Sequence, residues 1–331
     1  MNTDTSTDRS RPVTLGDPIG IAASLPHLLG FHPEESLVCL WLRKGTLVVS
    51  QRADLGPVHE RPVEEYVAAF IQTAAHVKAD AAICVIVTRS DEHVPSLCAA
   101  MRTHMPVPCQ AILHVRGSQV RDLSTGHGEW RWIDTRSRQW AAHRFPGPTP
   151  AFSRTRIESE CDADAGACEA MGEFEPGSAF AMEHLRDFAD AAVRHGRVDS
   201  TTKVSTGDQP IPPVDERQLR DALADSRGRD LVLVAAAHLA PADREALLQT
   251  LLRCTRATPP GQAGHSAAAA GVVAWLCGDG VRANVALERC VLDDPENVLG
   301  AVLDHAVCTG VPPEELRALL ADIRVLDIVP S

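Results

Sequence analysis

Residues 81–88, Ala-Ala-Ile-Cys-Val-Ile-Val-Thr, form an apolar run with no polar residue before the final threonine. A run this short and this uniform has no solvent-facing side. It reads as a strand covered on both faces, the way parallel strands are buried. A helical stretch ending near His104 follows, then a second strand, Val107 to Val115. Two parallel strands need a crossover between them, so strand, helix and strand in this order predict a parallel α/β unit. Asp91 is placed to cap the crossover helix.

The pattern extends on either side. Ile19 to Leu29 reads as a short helix closed by Gly30, which suits the left-handed position just past a helix end. Ser36 to Leu42 and Thr46 to Ala53 are apolar strands around Lys44-Gly45, which predicts a hairpin. Pro62 opens a helix where its missing N–H costs nothing, and Glu64 and Glu65 favour the first turn. Val63, Val67, Phe70, Ile71 and Ala74 then fall on one face. Downstream, Val120 to Leu123 and Trp130 to Asp134 lengthen the sheet. Trp130 and Trp132 share one face of that strand, as a stacking surface for a ligand or as a cover for the sheet.

From Thr135 to Gly177 periodicity gives way to Arg, Pro, Ser, Asp and Gly, which reads as a long loop. Ser178 to His195 reads as a helix and Asp199 to Pro213 as a second linker. Every later segment reads as helix, although LVLVAAA at 231–237 also fits a strand. The expected architecture is an α/β N-terminal domain, a mixed sheet with flanking helices, over 15–150. A disordered tail precedes it over 1–14. An irregular linker region with one helix follows over 151–213, then an all-α, tetratricopeptide-like C-terminal helical domain over 214–325.

Within that last part, Gly271, Ala283, Leu287 and Pro295 have the spacing of a tetratricopeptide repeat, whose small residues let two antiparallel helices approach. Such helices form a groove for a protein partner or simply a bundle. Asn284, among apolar neighbours, is expected to make a structural hydrogen bond.

Composition narrows the function. With 32 basic and 44 acidic residues the net charge is −12, a field that repels nucleic acid and anionic membranes. Ten cysteines contain no CxxC pair and mostly sit singly in apolar runs, as small hydrophobes. No apolar run reaches the roughly 18 residues of a membrane span, and the polar N-terminus lacks a secretory signal's apolar core. A cytoplasmic protein with reduced thiols is expected. Neither GxSxG nor HExxH occurs, nor a glycine-rich phosphate loop, so no cofactor is implied. Asp162, Asp164 and Glu173 match three positions of a calcium loop. The glycine is misplaced at Gly166, so the stretch reads as a solvated acidic loop and no metal is expected.

One polar cluster stands out. His32, Glu34, Glu35 and Ser36 lie at the turn before the hairpin, and Arg52 and Asp54 at its far end. A histidine with a carboxylate moves protons near neutral pH, and an arginine holds an anion by paired hydrogen bonds. The plainer alternative is a charged turn with an Arg52–Asp54 ion pair.

LPHLLGFHPEESLVCLWL, from Leu25, and RADL, at 52–55, resemble the opening signature of the family called domain of unknown function 4192. WLCGDGVRANVALERCVLDDPE and GVPPEELRALL resemble its C-terminal run. The middle departs from the family, since AAHRFPGPTP after Trp140 has no paired cysteines. The resemblance implies a fold and a compartment without a reaction. The positions matching its signature are Phe31, His32, Pro33, Ser36, Arg52 and Asp54. The reading favoured is a cytoplasmic binding or regulatory module, with a protein partner on the helical half and a small pocket at His32 to Ser36. The alternative is a small-molecule hydrolase or transferase using His32 with Glu34 or Glu35.

Overall fold

A computed structural model describes residues 17–59, 62–68, 70–145, 149–198, 214–308 and 311–329; the expected tail and the 199–213 linker lie outside them. The described residues fall into two compact units, the first ending at Ser153 and the second starting at Arg154.

The first unit is a six-stranded mixed sheet with helices. Helix α1 (Pro18–Leu29) is capped by Asp17, whose carboxylate accepts from the Ile19 and Gly20 N–H groups, and ends at Gly30 with φ of 76°. Strands β1 (Ser36–Arg43) and β2 (Thr46–Asp54) form the hairpin. Lys44 and Gly45 both have positive φ, 51° and 74°, as a two-residue turn matching the strand twist requires. Helices α2 (Val63–Ala68) and α3 (Ile71–His76) follow, then β3 (Ala81–Val87), α4 (Val94–His104) and β4 (Cys109–Arg116). Strands β5 (Gln119–Asp122) and β6 (Arg131–Trp132) and helix α5 (Thr135–Arg144) complete the unit.

The strand order is β2-β1-β3-β4-β5-β6. Only β3 and β4 are parallel, joined through α4. All seven residues of β3 are buried, so the covered-strand reading of 81–88 holds. Leu37, Cys39 and Trp41 pack with Val67, Phe70, Leu97 and Met101 in one core. Alternation turns Ser36, Val38, Leu40 and Leu42 to the opposite face, and all four are buried.

Two expectations for residues 91–177 need correction. Asp91 does not cap α4: the N-cap residue is His93, without a side-chain hydrogen bond, and the Asp91 carboxylate pairs with arginines. Residues 135–177 are not one long loop. They carry α5 and, in the second unit, α6 (Arg154–Glu158) and α7 (Ala165–Met171). Asp134 and Asp164 start α5 and α7 by accepting from the Ser137 and Ala167 N–H groups, and helices this short leave no apolar period to read. Asp164 also pairs with Arg256 at 3.0 Å, so its carboxylate serves a cap and an ion pair.

Among its described residues the second unit has helices and no strand, continuing with α8 (Ala179–Val198), α9 (Glu216–Ala222), α10 (Ser226–His238), α11 (Pro241–Arg256), α12 (Gly264–Leu276), α13 (Gly280–Asp293), α14 (Val298–Cys308), α15 (Pro313–Ala321) and α16 (Val325–Ile328). The ambiguous 231–237 stretch is helical, inside α10. Helix α12, rich in alanine, is buried along almost its whole length, as a helix apolar all round must be. An added Cβ on Gly271 would stand 2.8 Å from Leu287 Cγ and 3.2 Å from the Ala283 carbonyl, so α12 and α13 meet at the small residues singled out from spacing. Asn284 departs from expectation: its Oδ1 is buried with no hydrogen-bond partner. Leu292, Val298 and Val302 are exposed apolar side chains. Among the described residues no helix is long and apolar enough to cross a membrane.

Candidate functional site

Strand register brings both ends of the hairpin and the carboxyl ends of β3 and β4 to one edge of the sheet. Ser36 pairs with Asp54 on β2 and with Val87 on β3, and Val87 pairs with Val115 on β4. Open α/β sheets bind ligands outside the carboxyl ends of their parallel strands.

Three of the six residues singled out from the sequence meet here. Arg52 Nε donates to Ser36 Oγ at 2.9 Å, and its two terminal nitrogens form a fork on the Asp54 carboxylate. Ser36 Oγ in turn donates to the Glu34 carbonyl at 2.5 Å. The Arg52 guanidinium lies 5.8 Å from the centre of the buried Phe31 ring. Tyr66 donates its hydroxyl to the Asp54 carbonyl, and burial pushes its pKa up.

Glu35 belongs to a neighbouring contact. Its backbone is left-handed, φ 36°, and its carboxylate accepts from Thr88 Oγ1 at 2.7 Å and from the Arg89 N–H at 3.0 Å. The hairpin is thereby tied to the turn after β3. His32 is held differently. Its N–H donates to the Ala151 carbonyl, and its ring interacts with His27 and Arg138. Burial first, then Arg138, lowers the His32 pKa.

A denser cluster lies at the end of β4, and sequence reasoning missed most of it. His114 and Arg116 alternate on β4, and Arg121 on β5 is the register partner of His114, so all three share a face. The His114 side chain is wholly buried. Its Nδ1 faces the Arg121 Nε at 3.2 Å and Nη2 at 3.0 Å, while its Nε2 is 3.1 Å from the Thr88 carbonyl. Arginine only donates, so Nδ1 accepts, Nε2 carries the hydrogen and the ring is neutral. Burial lowers the His114 pKa, and Arg121 and Arg116 add to that against the Thr88 carbonyl and Asp91.

Asp91 closes the cluster. Its carboxylate lies 2.5 Å from Arg116 Nη2 and 2.7 Å from Arg121 Nη2. The hydrogen bond from Arg116 is the main cause of its lowered pKa. The Arg116 and Arg121 guanidiniums lie 4.9 and 4.5 Å from the Trp130 ring centre, within cation–π range. Trp132, by contrast, is 68% exposed and covers no core. The signal that identifies this cluster is polar alternation, His114 then Arg116, directly after the apolar Ala111-Ile112-Leu113 of β4.

A family model described as "Domain of unknown function (DUF4192)" matches residues 18–314. The chain belongs to that family. The matched DUF4192 span contains both the Ser36–Arg52–Asp54 group and the His114 cluster, and its description names no activity. No curated protein and no solved structure matches the chain.

Chemically, this edge of the DUF4192 sheet is equipped to hold a ligand more than to move a proton. Both nitrogens of His114 are engaged, and Asp91 is shared between two arginines.

Proposed function

We propose that this protein is a binding module for a small molecule, seated at the carboxyl edge of β3 and β4. The observation that carries the reading is the convergence of Arg116 and Arg121 on one exposed carboxylate, Asp91, with both guanidiniums against the Trp130 ring, where open α/β sheets take their ligands. The buried His114 behind Arg121 fixes that guanidinium in advance, and preorganisation of this kind lowers the entropic cost of binding.

Calorimetry and thermal melting of the full chain with four probes, inorganic phosphate, succinate, adenosine and glucose, test the reading. A ligand at about 100 times its Kd adds ~2.7 kcal/mol to stability, enough to raise the melting temperature measurably. At least one probe is expected to bind saturably, and both Trp130→Ala and Arg121→Gln to abolish its effect while keeping a native circular dichroism spectrum. Binding that survives both changes, or no binding by any probe, counts against this site.

A further inference from the structure

We propose that the Asp91 carboxylate stands in the place of a ligand's oxyanion, so that Arg116, Arg121 and Trp130 form the seat for a carboxylate or phosphate group. This rests on the reading of the same edge as a ligand site and names the class of ligand.

The geometry of the Asp91 contact is that of a recognised oxyanion. One carboxylate oxygen meets Arg116 Nη2 at 2.5 Å and the other meets Arg121 Nη2 at 2.7 Å. Two separate guanidiniums each taking one oxygen is an arrangement that a planar carboxylate or a phosphate face satisfies equally. Charge points the same way. Two guanidiniums, one carboxylate and a neutral imidazole leave one net positive charge, in a chain whose total is −12. Arg116 Nε is also buried without a hydrogen-bond partner.

The stand-in is displaceable. Asp91 is 56% exposed and lies in the turn between β3 and α4. Its carboxylate caps no helix, so swinging it outward costs no helix cap; it gives up the two arginines and a 3.6 Å approach to His114 Nδ1. The start of α4 carries no acidic residue and no side-chain cap, and its positive end adds to the potential at this edge. The arginines, in contrast, stay in place: Arg121 rests on His114, and both guanidiniums rest on Trp130.

Isothermal titration of the full chain with inorganic phosphate and, separately, with succinate tests this at constant ionic strength set with chloride. Asp91→Asn removes the internal competitor and is expected to tighten binding of at least one of them about tenfold or more, the scale of one charge-assisted hydrogen bond. Arg121→Gln is expected to abolish binding in either background. The tighter of the two anions tells a phosphate-bearing ligand from a carboxylate-bearing one. If Asp91→Asn does not fold, Arg116→Gln in the otherwise unchanged chain carries the test, with a loss of about tenfold or more expected. Anion affinity unchanged by Asp91→Asn, or unchanged by Arg116→Gln, overturns the assignment. If adenosine or glucose binds through Trp130 while both anions fail, the edge remains a ligand site and the oxyanion class falls. If no probe of either class binds, both readings fall.

Discussion

The guanidinium of Arg121 is aimed at Nδ1 of His114 by two of its nitrogens, at 3.0 and 3.2 Å. A cation and a buried imidazole coexist this way only while the imidazole is neutral, since a proton on Nδ1 would point at the guanidinium. Burial first, and then Arg121, hold the pKa of His114 below its ordinary value of 6.5.

That shift gives stability a pH dependence of definite sign. The unfolded chain takes up the His114 proton at a higher pH than the folded one. The contribution is therefore complete above about pH 6.5 and is lost as pH falls towards the depressed folded value, with a limiting slope of ~1.4 kcal/mol per pH unit. Glutamine at 114 keeps one acceptor for Arg121 and one donor for Thr88 without titrating. The fall in urea midpoint between pH 7.5 and 5.5 is expected to be smaller in His114→Gln than in the unchanged protein. Some slope will remain, because His27, His32 and His265 are shifted the same way. Equal slopes in the two proteins would place the titration elsewhere.

At the hairpin end the arrangement is structural in its energetics. The Arg52 side chain is only 14% exposed and joins Ser36 to Asp54. Ser36→Ala removes the acceptor for Arg52 Nε and the donor to the Glu34 carbonyl, at an expected cost of ~1–2 kcal/mol. Arg52→Lys is expected to cost a similar amount, because an ammonium has no planar fork. Urea unfolding at pH 7 measures both, and an Arg52→Lys midpoint equal to that of the unchanged protein would refute the fork's contribution.

The elements legible in the sequence are those in which burial imposes a period. The 81–88 strand, the hairpin around Lys44-Gly45 and the α12–α13 pair stand where periodicity and turn chemistry place them. Helices α5, α6 and α7 escaped because they are short and bury at most one residue each, so no apolar face recurs; Asp caps start α5 and α7. Asp91 misled for a related reason: an aspartate just before a helix looks like a cap, and only β4 and β5 in place reveal the arginines that claim it. The polar cluster seen from spacing proved divided. Ser36, Arg52 and Asp54 meet across the hairpin, Glu35 ties to Thr88, and His32 is held through its backbone N–H on the Ala151 carbonyl. His114, Arg116 and Arg121 were hidden because a face shared by two strands is set by register, which a linear reading does not supply.

In the helical unit, Arg244 is a buried cation whose hydrogen bonds go to helix carbonyls. Its Nε and Nη2 donate to the Ala236 and Leu239 carbonyls at 2.9 and 2.8 Å, and its Nη1 reaches the Leu276 carbonyl at 3.4 Å. These carbonyls terminate α10 and α12, where the helix dipole is negative. Arg244→Met keeps the stem and loses the donors, leaving buried acceptors unsatisfied. A loss of ~2–4 kcal/mol is expected, as two or more such acceptors imply. Thermal melting that shifts no further than for an exposed arginine, such as Arg227→Met, would deny the carbonyls that role.

The approach of α12 to α13 makes a sharper prediction, because its sign depends on the neighbour. In the unchanged protein a Cβ at position 271 would lie 2.8 Å from Leu287 Cγ and 3.0 Å from Cδ2. Gly271→Ala therefore sets a helix-propensity gain of about 1 kcal/mol against overpacking of roughly 1–3 kcal/mol. A net destabilisation is expected. Leu287 is fully buried, so Leu287→Ala alone should cost ~2–5 kcal/mol through the cavity it leaves. In that background the new methyl enters freed space, so Gly271→Ala should become stabilising, with a coupling of about 1–3 kcal/mol between the two changes. Chemical unfolding of the four proteins of the cycle measures it. If Gly271→Ala destabilises equally in both backgrounds, the limiting contact is the Ala283 carbonyl at 3.2 Å, and the helices are held apart by backbone instead of by the leucine.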